Sequence, residues 1–155
     1  MVLCLLVTIA LIQHPHDAAT DRAAMAMGFD QDATVHHFSL FEDGGAIAVA
    51  VKDPANTKDR DAVRMHLRHI ASMFAAGDFA APMLVHDTAD VPGVTVLSAR
   101  HDRITYRYTD TDRPDGGRIE ITTADAEALA ALHAFLRYQI REHHTGDPET
   151  IEPRR

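Results

Sequence analysis

The chain states one supersecondary plan twice, and that repetition limits the folds open to it more tightly than any other feature. In each copy a strand runs to an Asp-Gly-Gly turn, a second strand follows, and a helix carrying Leu-Arg ends at Gly-Asp. The copies span residues 35–78 and 103–147. Their turns are Asp43-Gly44-Gly45 and Asp115-Gly116-Gly117, their Leu-Arg pairs Leu67-Arg68 and Leu136-Arg137, and their ends Gly77-Asp78 and Gly146-Asp147. A repeated unit of this size cannot bury its apolar face alone and must stack against its twin. The expected fold class is therefore α+β: two ββα repeats forming one antiparallel sheet, with two helices packed on one face and a pseudo-twofold axis between the copies.

Hydrophobic periodicity fills in that plan. Phe38 and Leu40 share a strand face with Ile47, Val49 and Val51, leaving Ala46, Ala48 and Ala50 on the other side. Ile104, Tyr106 and Tyr108 match Ile119 and Ile121 in the second copy. Gly45 and Gly117 are expected at positive φ in the turns. Helices are expected over 59–76 and 125–144, with apolar stripes Val63, Leu67, Ile70, Phe74 and Leu129, Leu132, Phe135, Leu136, Ile140. Thr57 or Asp59 should cap the first and Thr123 or Asp125 the second, with Gly77 and Gly146 as left-handed exits. Residues 83–86 and 94–97 read as linking strands or an ordered loop.

The chain has 155 residues, one domain's worth, and a single cysteine, Cys4, so neither an intrachain disulfide nor a cysteine-based metal site is possible. Its formal net charge of −8 repels phosphate, which argues against nucleic acid and anionic membrane surfaces as partners. Residues 1–12 hold an apolar run of signal-peptide length, too short for a membrane span, followed by the polar stretch from Gln13 to Thr20. The expected organisation is a signal-peptide core over 1–12, a mobile leader over 13–33 with a short helix at 21–27, a single duplicated domain over 34–147 and a flexible tail over 148–155. Export to the periplasm or beyond leaves no stable membrane span after processing.

Histidine is the compositional anomaly, with 11 residues against none of tryptophan. His66, His69 and Met73 stand at i, i+3 and i+7 on the first helix, so all three share one face. Two imidazoles and a thioether suit a soft or borderline transition metal, copper first. His36, His37 and His86, with His14 and His16 in the leader, are the supplementary ligands. On the second helix His133, Arg137 and His144 share a face and His143 projects near the apolar stripe. Histidines do not match between copies, which argues for one metal site at most. The matched Arg68 and Arg137 are expected to pair with the matched Asp78 and Asp147 across the copies. No serine sits in a nucleophile elbow, no H-E-x-x-H occurs, and Cys4 lies in the apolar leader, so catalytic residues cannot be named.

The segments Met27-Gly28-Phe29-Asp30, His36-His37-Phe38, Arg64-Met65-His66-Leu67-Arg68-His69-Ile70, Gly77-Asp78-Phe79 and His133-Ala134-Phe135-Leu136-Arg137 resemble those of a group of short bacterial proteins. Many of that group carry signal peptides, and some bear the name aspartate carbamoyltransferase. The resemblance runs from Met27 to Asp147 and implies export, but no tested activity. Carbamoyl transfer by that enzyme class needs two α/β domains and a Ser-Thr-Arg-Thr-Arg loop, which this sequence lacks. The expected function is a small exported module binding a transition-metal ion. The rivals are an interaction module forming a homodimer through the Ala-lined face of the first hairpin, and an enzyme of another kind. Export is checked by fusing residues 1–31, with any in-frame upstream extension, to a reporter active only outside the cytoplasm. Signal is expected, and a silent reporter returns this segment to the folded domain.

Overall fold

The structure, a computed structural model, describes residues 27–154. The apolar run at 2–12, Cys4, His14, His16 and all but the last residue of the expected 21–27 helix lie outside the described residues. The described residues form an α+β fold: a five-stranded mixed sheet with four α-helices. Strands β1 (Thr34–Phe41) and β2 (Gly44–Val51) form one hairpin, β3 (Ile104–Asp112) and β4 (Asp115–Thr123) the other. Helix α1 (Thr57–Ala75) follows the first hairpin and α4 (Ala126–Glu142) the second, with α2 (Ala80–Val85) and α3 (Val94–Ala99) between them. A two-residue strand β5 (Ile151–Glu152) lies parallel to β1, giving the order β3-β4-β2-β1-β5. The sheet is thus mixed rather than wholly antiparallel.

The alternating pattern works as expected. Phe38, Leu40, Ile47, Val49, Ile119 and Ile121 meet Val63, Leu67, Ile70 and Phe74 of α1 and Leu132, Phe135, Leu136 and Ile140 of α4 in one core. β2 and β4 pair antiparallel at the centre, with Gly44 opposite Thr122 and Ala50 opposite Gly116. Helix α4 is capped by Asp125, whose Oδ1 accepts from the backbone N–H groups of Glu127 and Ala128. Helix α1 is capped one residue earlier than expected, by Asn56. Its Oδ1 accepts from the Asp59 N–H while its Nδ2 donates to the Asp59 carboxylate, a reciprocal arrangement.

Several expectations are corrected. The linking segments are helical: α3 buries Leu97 beneath α4, and tertiary contact overrides the β-branched composition of Val94-Thr95-Val96. Met27 and Phe29 are buried, so the folded unit begins before residue 34. The tail does not fray through residue 154: Ile151 pairs beside Leu40, and the Arg154 guanidinium bonds Asp43 and Glu120 while lying 4.7 Å from the Phe41 ring centre. Helix α4 stops at Glu142 and its left-handed exit is His144, two residues before Gly146. Arg68 pairs with Asp110 and Arg137 donates to the Glu149 carbonyl, so neither pairs with the matched Asp147 or Asp78 at the helix end of the other copy.

The glycine assignment changes most. The turns are Glu42-Asp43 and Arg113-Pro114, and neither Gly45 nor Gly117 has positive φ. Close neighbours on the helices and strands leave no free room for a Cβ at either position. A Cβ on Gly45 would lie 2.3 Å from Leu136 Cδ1 of α4 and 2.7 Å from the Ser39 carbonyl oxygen. One on Gly117 would meet Tyr108 at 2.8 Å and Leu67 Cδ1 of α1 at 3.1 Å. Two further side chains, one from each long helix, bond the hairpin ends. His133 Nε2 lies 3.0 Å from the carbonyl oxygens of Phe41 and Gly44, so it carries the proton and donates to both. Arg64 of α1 donates to the carbonyls of Gly116 and Thr111.

Replacing these glycines by alanine is expected to destabilise in an order set by what the methyl meets. Gly116→Ala, 2.0 Å from the Val49 carbonyl oxygen, is worst, then Gly45→Ala at about 1–3 kcal/mol, then Gly117→Ala, whose neighbours are movable side chains. Chemical denaturation of the three variants checks the order.

Candidate functional site

The histidines of four separate elements converge at one end of the core. His36 leaves β1 on the same face as Phe38, His66 sits mid-way along α1, and His86 and His143 are the residues that close α2 and α4. Each is placed by simple spacing. On α1 His66 precedes Ile70 and Phe74 by one and two turns, and on α4 His143 follows Phe135 and Gln139 by two turns and one. The His36 and His143 rings stack at 4.9 Å between centres, with planes 22° apart, and His86 meets His143 edge-on at 5.2 Å. Phe29 presents its ring to His66 at 5.5 Å and to His36 at 6.2 Å.

These imidazoles rim a cavity of about 80 Å³, otherwise lined by apolar side chains including Met27, Phe38, Ile70, Phe74, Val85 and Phe135. Burial holds His36, His66 and His143 neutral. The His36 pKa falls to about 4, chiefly by desolvation and then by the neighbouring His66 and His37. His66 falls to about 4 by desolvation and the nearby His69. His143 falls to about 3 by desolvation and by His36, His86 and His144.

One polar group in the lining is incomplete. Gln139 is 5% exposed; its Oε1 accepts from His86 Nε2 at 3.0 Å, while its Nε2 has no partner among the described residues. Turning the amide over would exchange the roles and leave the oxygen unpartnered instead. Either way the cavity wall keeps one unspent hydrogen-bonding atom, and such buried groups are rare in folded proteins.

The expected metal ligands do not come together as a set. His37 points away from the cavity, with Nδ1 2.9 Å from the Asp147 carboxylate, because successive strand residues face opposite sides. His36 and His86 line the cavity with His66, whereas His69 and Met73 line a separate groove that His66 also borders. Among the described residues no three His, Cys, Asp or Glu side chains are placed to hold a metal ion. His143 and Gln139 were not in the expected set, although their spacing from Phe135 and the polar Gln at a stripe position were legible signals. His133, grouped with Arg137 and His144 from its helical face, is a buried structural donor to the first turn.

Among the described residues the cavity lining contains no hydroxyl, thiol or carboxylate. The arrangement is suited to holding a small molecule against stacked rings with one directed hydrogen bond. No family model, curated protein or solved structure matches the chain.

The lowered pKa values set a pH dependence. Folding holds these three groups neutral below the ~6.5 at which an unfolded histidine titrates, so the unfolded chain binds more protons in the window between. Stability therefore rises with pH through that window and is lost on acidification. Between pH 6.5 and 4.5, above most carboxylate titration, the unfolding free energy should fall by up to about 1.4 kcal/mol per pH unit for each histidine. His143→Phe should reduce the slope by one proton's share, measured by urea denaturation at several pH values; an unchanged slope would place the proton uptake elsewhere.

Proposed function

We propose that the protein is a small-molecule binding module and that the imidazole-rimmed cavity is its site. The observation that carries this reading is the buried Nε2 of Gln139, a side chain that lines the cavity and whose Nε2 has no partner among the described residues. Leaving such a group unbonded costs about 1–3 kcal/mol, and a ligand acceptor would offset that cost. The cavity is about half the ~150 Å³ of an engineered pocket that takes benzene. The ligand is accordingly compact and planar, near five ring atoms unless the rim residues give way, and carries one acceptor. Neutral imidazoles offer it stacking surface without charge.

The duplicated architecture belongs to the same proposal. Two ββα units related by a pseudo-twofold axis explain why each helix serves the other unit's hairpin: Leu136 sits on Gly45 and Leu67 on Gly117, while His133 donates to Gly44 and Arg64 to Gly116. Aligning Gly44 with Gly116 carries the pair Gly44–Thr122 onto Gly116–Ala50, as such an axis requires. In this reading the duplication built the scaffold, and the unmatched histidines made a single site at one end. Export, inferred from residues 1–12, places that site outside the cytoplasm.

The dimer reading is weaker. Ala46, Ala48 and Ala50 do lie opposite the helices, but Arg118, Glu120, Arg107 and Arg154 form a charged network on the same strand faces. Covering it would desolvate several ions.

Pyrazole, phenol and cyclohexanol serve as probes in an NMR titration of the full chain. Pyrazole should shift the Gln139 side-chain amide and the His36 and His143 rings. Gln139→Met, similar in volume but without the amide, should weaken pyrazole binding about five- to tenfold. Absence of any shift with all three probes, or binding indifferent to Gln139→Met, would overturn the assignment.

A further inference from the structure

The groove between α1 and α2 gathers a second set of donors, which shares only His66 with the small-molecule cavity. His69 and Met73 come from the exposed face of α1, and Met83 comes across from α2 to line the same groove. His66 borders it from the cavity side. Met73 is half-buried yet is not among the side chains packed on the hydrophobic core. Apolar packing on the core therefore does not account for it.

We propose that this groove takes one Cu(I) ion on the thioethers of Met73 and Met83 and the imidazole of His69, with His66 as the fourth donor. The choice of ion follows from donor softness. Zinc and other borderline divalent ions are usually held by three or more His, Cys or carboxylate ligands, and no such group occurs among the described residues. Two thioethers with imidazole are a soft set, which favours Cu(I). The i, i+4 spacing of His69 and Met73 puts them one turn apart on α1, and α2 need only hold Met83 opposite them.

The test uses the full, untagged chain under anaerobic, reducing conditions with bicinchoninate competing for Cu(I). One equivalent should bind. The methyl resonances of Met73 and Met83 should shift on binding while that of Met65, 66% exposed and outside the groove lining, should not. Met73→Leu with Met83→Leu should lower Cu(I) affinity at least tenfold with unchanged circular dichroism. Met73→Leu alone, at a half-exposed position off the core, covers the case in which the double variant does not fold, and should still lower affinity severalfold. Unmoved Met73 and Met83 methyls, or variants that keep full affinity, would assign any bound copper to other residues and overturn the site. Because Gln139 takes no part here, pyrazole binding lost in Gln139→Met with Cu(I) binding intact separates the two sites.

Discussion

The contact on which the rest of the structure depends is a leucine seated on a glycine, made twice. Leu136 rests where Gly45 has no side chain, and Leu67 rests beside Gly117. Each contact sets how closely a helix approaches the paired centre of the sheet, and the donors His133 and Arg64 fix its position along the strands by bonding carbonyls at the hairpin ends. A methyl group on Gly45 would meet Leu136 of α4 and the Ser39 carbonyl, and one on Gly117 would meet Tyr108 of β3 and then Leu67 of α1. With the helices held at that height, His66 and His143 reach the level of His36, and α2 closes over the remaining gap with His86.

The polar inclusions in this core fall into two kinds. His133 is buried at 6% exposure, but both carbonyl oxygens near its Nε2 are satisfied, so it locks the turn at little net cost. His36, His66 and His143 around the cavity are instead kept neutral by desolvation, and among the described residues the Gln139 amide is only half satisfied. A core optimised for stability alone would place leucine or methionine at these positions. Retaining histidines there accepts acid sensitivity in exchange for a wall that can stack and hydrogen-bond. His66 borders both the cavity and the thioether groove, so an event at one is in contact with the other.

Much of the fold was legible from residues alone. The stripe Val63, Leu67, Ile70, Phe74 and its counterpart on α4 located the two long helices to within about two residues, and Asp125 was readable as a cap. Strand alternation assigned the buried face, since Phe38, Ile47 and Ile119 could only share one side. Short elements resisted such reading. Val94-Thr95-Val96 has strand composition but lies in a helix because Leu97 packs under α4, and Ile151–Glu152 becomes a strand only because the β1 edge is there to pair with it. The glycines were recognised, but for the wrong reason: a turn explains positive φ, and these have none.

What the sequence by itself determined is the kind and facing of each long element, because periods of 2 and 3.6 residues follow from covalent geometry and the burial of apolar side chains. It also marked histidine and methionine as the unusual chemistry and placed His66, His69 and Met73 on one helix face. Only the tertiary structure decided which donors meet. His36, His66, His86 and His143 come from four elements across more than a hundred residues, and their convergence depends on strand register and helix height. Those are set by long-range contacts between chain segments, which no local pattern encodes.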